Sequence, residues 1–178
     1  MKKLSLLLIL TSLAAIVYSQ CPDTPEWNFD TDLECWTLTQ NLTGGVVDGV
    51  LNLTITGNDP FMHSQTGLAI DASESWEIIL GMKNNTADIS GQVYFTTQTA
   101  GWSQDLSRSF TIVPNDDMIR EYRIDMSIVP AWNGTIEQIR MDPLADVGSG
   151  TIEIDYIIVS GPDCEKQYIT FTPVENKT

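Results

Sequence analysis

The sequence has a single histidine, three cysteines, and nine lysines and arginines against 24 acidic residues, and each shortage removes a class of chemistry. With His63 as the one histidine and no Gly-x-Ser-x-Gly elbow, a Ser-His-Asp or Cys-His relay lacks its members. The cysteines show no Cys-x-x-Cys spacing, so zinc lacks a ligand set. Carboxylates are abundant, yet no motif singles out a pair for glycoside hydrolysis. A formal net charge of −15 argues against a nucleic-acid partner, because gripping a phosphate backbone takes clustered lysine and arginine. No catalytic residue is expected.

Beyond the first 16 residues no apolar run approaches the roughly 20 residues of a membrane-spanning helix, so no membrane insertion is expected. The chain opens with Lys2 and Lys3, an apolar stretch from Leu4 to Ile16, and Val17-Tyr18-Ser19, with small residues where a signal peptidase reads. Residues 1–19 therefore read as a cleavable signal peptide and the mature protein as secreted and extracellular. Its loss takes two lysines and no acid, turning −15 into −17. Such charge favours solubility and attracts cations.

In an oxidising compartment three cysteines allow one internal bond and leave one thiol. Cys21 precedes the first expected strand and Cys164 follows the last, which predicts a Cys21–Cys164 bond and leaves Cys35 for an intermolecular one. Asparagine placement says more than charge does. Asn41, Asn52, Asn84, Asn133 and Asn176 each have Thr two positions on, a sequon density that predicts an N-glycosylated protein.

No segment carries a helical stripe. Leu51, Leu53 and Ile55 alternate with Asn52 and Thr54, and Trp76, Ile78, Leu80 and Met82 alternate with Glu77 and Gly81. That is the period of strands with one buried face. Further strands are expected over 92–97, 109–113, 121–125, 136–141 and 151–159, the last with Ile152, Ile154, Tyr156 and Ile158 on one face. Turn chemistry separates them at 57–60, 114–117 and 142–150. One all-β domain over residues 20–164, an antiparallel β-sandwich of jelly-roll type, accounts for the pattern. Residues 165–178 form a tail whose 167–172 stretch alternates like a strand, either an extra strand of its own sheet or a donor to a neighbouring copy.

Between about residues 27 and 159 the chain resembles the galactose-binding-like jelly-roll family of carbohydrate-binding modules. The resemblance rests on Trp27-Asn28-Phe29-Asp30, Asp48-Gly49-Val50-Leu51, Gly57-Asn58-Asp59-Pro60, Met82-Lys83-Asn84-Asn85-Thr86, Tyr94-Phe95-Thr96-Thr97, Trp132-Asn133-Gly134-Thr135-Ile136 and Gly150-Thr151-Ile152-Glu153-Ile154-Asp155-Tyr156-Ile157. Cys35 stands where that family would be expected to have glycine. The resemblance implies a non-catalytic module, and a structural calcium site where Asp30 and Asp32 lie beside Asp155 on the final strand. A fold hosting many ligands does not name this one.

Sugar rings pack an apolar face on aromatic rings while their hydroxyls seek polar side chains, so aromatics outside the strand periodicity are the candidate platforms. Trp102, flanked by Gly101 and Ser103, leads, followed by Trp132 and then Phe61 with His63; Trp27 and Trp76 read as core. The expected function is lectin-like binding of a carbohydrate or glycoconjugate by a secreted glycoprotein. The alternative is a structural subunit of an extracellular filament, coat or matrix that self-associates through strand addition or disulfides.

Overall fold

The computed structural model describes residues 25–145 and 147–161. The expected leader over residues 1–19, Cys21, Cys164, Asn176 and the 167–172 stretch lie outside the described residues. Twelve strands follow one another: β1 (Glu26–Trp27), β2 (Thr37–Gln40), β3 (Leu42–Val47), β4 (Val50–Ile55), β5 (Phe61–His63), β6 (Ile70–Asp71), β7 (Glu77–Asn84), β8 (Ser90–Thr97), β9 (Ser107–Thr111), β10 (Arg120–Asp125), β11 (Thr135–Asp142) and β12 (Gly150–Ser160). A 3-10 turn, Gln104–Leu106, precedes β9. Among the described residues no helix is long and apolar enough to cross a membrane.

One sheet has the order β10-β7-β12-β4-β3, with β1 pairing the end of β12; the other has the order β2-β5-β11-β8-β9, with β6 pairing the start of β11. All strand pairs are antiparallel, so the molecule is the sandwich that the alternation implies. Leu51, Leu53, Ile78, Leu80 and Met82 of the first sheet and Met62, Val93, Phe95, Ile139 and Met141 of the second belong to one buried core. Its tightest hairpin joins β3 to β4 through Asp48 and Gly49, both at positive φ, with Val47 paired to Val50. Asp-Gly in that conformation matches the twist of the strands it connects.

β12 departs from the expected alternation. Its register against β7 shifts between Ile154 and Tyr156, so Asp155 is the extra residue of a bulge. One inserted residue swaps the faces. Ile152 and Ile154 are therefore followed in the main core by Ile157 and Val159, while Tyr156 and Ile158 join Ile79 on the other side of the sheet. The Tyr156 hydroxyl donates to Glu121 there, at 3.0 Å.

The segment after β1 folds back on it. Trp27 and Trp36 meet edge to face at 5.3 Å, the Asn28 amide donates to Glu34 Oε2 at 2.9 Å, and the Glu34 amide donates to Asp32 Oδ1 at 2.6 Å. Cys35, at φ 67°, occupies the left-handed conformation that glycine adopts most freely. It is disulfide-bonded. The two cysteines of the expected internal bond, Cys21 and Cys164, both lie outside the described residues.

Candidate functional site

The outer face of the second sheet carries the site. Met62, Val93 and Met141 point into the core, so their alternating neighbours point out. Register aligns Thr37 with His63, His63 with Arg140, Arg140 with Tyr94, and Tyr94 with Ser107. One row therefore crosses five strands, a span of about 19 Å at the usual strand spacing of about 4.8 Å.

Arg140 is the centre of the row. Its guanidinium carbon lies 3.6 Å from the Phe61 ring centroid and 4.8 Å from that of Tyr94. Nε and Nη2 donate to the two carboxylate oxygens of Asp142 at 2.6 and 2.5 Å, and Nη2 also donates to Asp59 at 3.1 Å. The Gln40 amide donates to the other oxygen of Asp59 at 2.8 Å. Burial works against the Arg140 charge, but its bond to Asp142 and the charges of Asp142 and Asp59 outweigh it and raise its pKa. Burial raises the pKa of Asp142, and the bond and charge of Arg140 oppose that rise without cancelling it. The Tyr94 hydroxyl is likewise raised, by burial first and by the Asp142 charge second.

At one end of the row His63 stacks on Trp102, with ring centroids 5.0 Å apart and planes inclined by 5°. Phe61 lies 5.2 Å from the same imidazole. Trp102 is 40% exposed, on the connection from β8 to β9. At the other end the Tyr94 hydroxyl donates to Gln104 Oε1 at 3.0 Å, while Ser107 Oγ accepts from Gln92 at 2.8 Å and Gln104 at 3.1 Å. These amides border a hollow of about 310 Å³ whose far wall is Ile128 and Pro130.

The structure thus brings Trp102, His63 and Phe61 together and leaves Trp132 out. Trp132 is only 6% exposed, packs edge-on against Phe95 at 4.8 Å and donates its indole N–H to the Ser75 carbonyl at 2.9 Å, so it plugs the sandwich and offers no platform. Among the described residues no three His, Cys, Asp or Glu side chains lie close enough to hold a metal. Asp30, Asp32 and Asp155 are therefore not gathered into the expected set: Asp32 holds the Glu34 amide and Asp155 sits in the bulge. Sequence reasoning missed Arg140, Tyr94, Gln92, Gln104 and Ser107. Arg140, Tyr94, Gln92 and Ser107 lie on three different strands and Gln104 in the 3-10 turn, and only the strand order shows that they are neighbours.

One sequon is structural. Asn84 is completely buried, its amide donating to the Asp88 and Val113 carbonyls at 2.9 and 3.1 Å and accepting from the Thr86 N–H and hydroxyl at 3.0 and 2.7 Å. Its nitrogen has no room for a glycan, which corrects the expectation at that position. Asn133 is exposed, and Asn41 and Asn52 are half-buried.

No protein-family model and no curated protein matches the chain. Solved structures do. The second N-terminal cellulose-binding domain of a Cellulomonas fimi β-1,4-glucanase C is 14% identical with a TM-score of 0.54, the match covering 82% of this chain and 97% of that one. A xylan-binding module, CBM86, from Roseburia intestinalis is 11% identical with a TM-score of 0.50, covering 74% and 92%. An arabinoxylan arabinofuranohydrolase of glycoside hydrolase family 43 from Bacillus subtilis is 10% identical with a TM-score of 0.52, covering 81% of this chain but 28% of that enzyme. Identities this low speak to fold, and the fold they share with this chain is the jelly roll of carbohydrate-binding modules, as the sequence resemblance implied.

Proposed function

We propose that this protein is a secreted, non-catalytic glycoprotein that binds carbohydrate across the outer face of its second sheet. The observation that carries the reading is the register row of Thr37, His63, Arg140, Tyr94 and Ser107, bordered by Phe61 and Trp102. Rings supply apolar faces, while amides, hydroxyls and a guanidinium supply directional donors and acceptors. A row of about 19 Å suits a short oligosaccharide better than a single sugar. Arg140 already faces two carboxylates, and the chain as a whole is strongly acidic, which favours a neutral glycan over an anionic one. The cellulose- and xylan-binding modules that share the fold support the same class of ligand.

The test pairs two tryptophans. Trp102→Ala weakens binding to cellohexaose or xylohexaose by about 2 kcal/mol, the size of a binding hot spot, with little change in melting temperature. Trp132→Ala costs about 3 to 5 kcal/mol of stability, as expected for a core tryptophan. Calorimetric titration and thermal melting of both variants check the pair. Full affinity in a folded Trp102→Ala protein would remove the site from this face.

A further inference from the structure

His63 carries an unused acceptor. Its Nδ1 lies 3.3 Å from Thr39 Oγ1, and that hydroxyl in turn donates to the Thr37 carbonyl at 3.1 Å. With the hydroxyl proton committed to Thr37, Thr39 Oγ1 can only accept from His63, so the neutral imidazole bears its proton on Nδ1. Nε2 is then a bare lone pair. It is buried and has no hydrogen-bond partner, while the indole of Trp102 stacks on the same ring. An unpaired buried acceptor costs free energy, and a ligand that supplies a donor recovers it.

We propose that His63 Nε2, buried beside the Trp102 stack, is a hydroxyl-accepting contact of the binding face that opens when a sugar re-seats the neighbouring side chains. The inference rests on the carbohydrate reading above and makes His63 a specificity-determining residue: ligands are selected for a hydroxyl donor at this point of the row. It also gives the site a pH dependence. Beside the ring stand Thr37 and Thr39 from β2, Phe61 from its own strand, Arg140 from β11, and Trp102, while Asp142, Asp59 and Tyr94 surround the Arg140 guanidinium. Burial first and the Arg140 charge second hold the His63 pKa below 6.5. The imidazole is therefore neutral and accepting at pH 7.5. Protonation on the acid side turns Nε2 into a donor and removes the contact.

Two experiments on the full chain separate this inference from the reading beneath it. Nitrogen-15 NMR of the only histidine, without ligand, is expected to show the Nδ1–H tautomer; an Nε2–H tautomer overturns the inference whether or not any sugar binds. Calorimetry with cellohexaose and xylohexaose at pH 7.5 and 4.5 then compares the wild type with His63→Phe, which keeps a ring under Trp102, and His63→Gln, which keeps an acceptor without a titrating group. The wild type is expected to lose about fivefold to tenfold in affinity on acidification. The Phe variant should start about that much weaker and respond less to pH, and the Gln variant should lie between them at pH 7.5. Wild-type affinity in the Phe variant at pH 7.5 overturns the role of His63 alone. A wild type that binds neither sugar while its tautomer is as expected overturns the carbohydrate reading, and the ligand role of His63 with it.

Discussion

At the scale of single residues, the Arg140–Asp142 pair decides how robust the binding face is. Asp142 is mostly buried and its carboxylate is held by the guanidinium alone among the side chains of the row. Arg140→Met leaves that carboxylate without its partner, an error that typically costs about 3 kcal/mol or more. The loss depends on pH in a definite direction. Burial already raises the Asp142 pKa, and removing the opposing bond and charge of Arg140 raises it further. A carboxyl whose folded pKa exceeds its unfolded value favours the folded state at low pH, and that advantage disappears as pH rises through the folded pKa. Arg140→Met should therefore be most destabilised at neutral pH and recover toward pH 4, where Asp142 takes a proton. Asp142→Asn in the same background should remove most of the pH-dependent part. Melting curves of the three proteins from pH 4 to 8 check this, and a deficit independent of pH would show that lost packing on Phe61 and Tyr94, not an unpaired charge, is what matters.

At the scale of elements, strands with one covered face were readable from the sequence and the devices that break their period were not. β4, β7, β8, β10, β11 and β12 announce themselves by alternation, whereas β1, β5 and β6 have only two or three residues and show no period. β3 hides behind Gly44 and Gly45. The Asp155 bulge leaves no trace in composition, yet it moves Tyr156 onto the outer side of the first sheet. For the same reason only half of the site was readable: Trp102, Phe61 and His63 stand out as aromatics in turn-rich surroundings, but Arg140 and Tyr94 become neighbours only once β11 lies beside β8. The bulge predicts a specific weakness at Gly81, which pairs with Tyr156; a methyl group there would sit 2.5 Å from the tyrosine ring. Gly81→Ala should cost about 2 kcal/mol by overpacking. Tyr156→Leu should return part of that loss in the double variant while weakening the protein on its own. Equal stability of Gly81→Ala and wild type would mean that the ring yields freely and that the bulge does not fix it.

At the scale of the whole molecule, the sequons and the fold compete for the same asparagines. Sequon density alone treats five positions as equivalent, but the sandwich makes them unequal. At Asn84 all four hydrogen-bonding capacities of the amide are spent holding the 84–90 turn against the strand-to-strand connection at Val113. A glycan attached there during synthesis would remove a donor and demand space that the fully buried nitrogen lacks. Chains so modified would not complete the fold, so the folded, secreted fraction should be empty at Asn84. At Asn133 the side chain is exposed and makes one bond, to the Pro130 carbonyl at 2.9 Å, so a glycan can extend into solvent at little cost. Glycopeptide mapping of protein secreted from eukaryotic cells is expected to find Asn133 occupied and Asn84 bare. Asn133→Gln should remove one glycan and leave the melting temperature nearly unchanged. Asn84→Ala should change no glycan and cost about 3 kcal/mol, because it strands the Asp88 and Val113 carbonyls and the Thr86 amide. An occupied Asn84 in folded material would contradict the burial of that side chain, and with it the account of how this end of the sandwich is held.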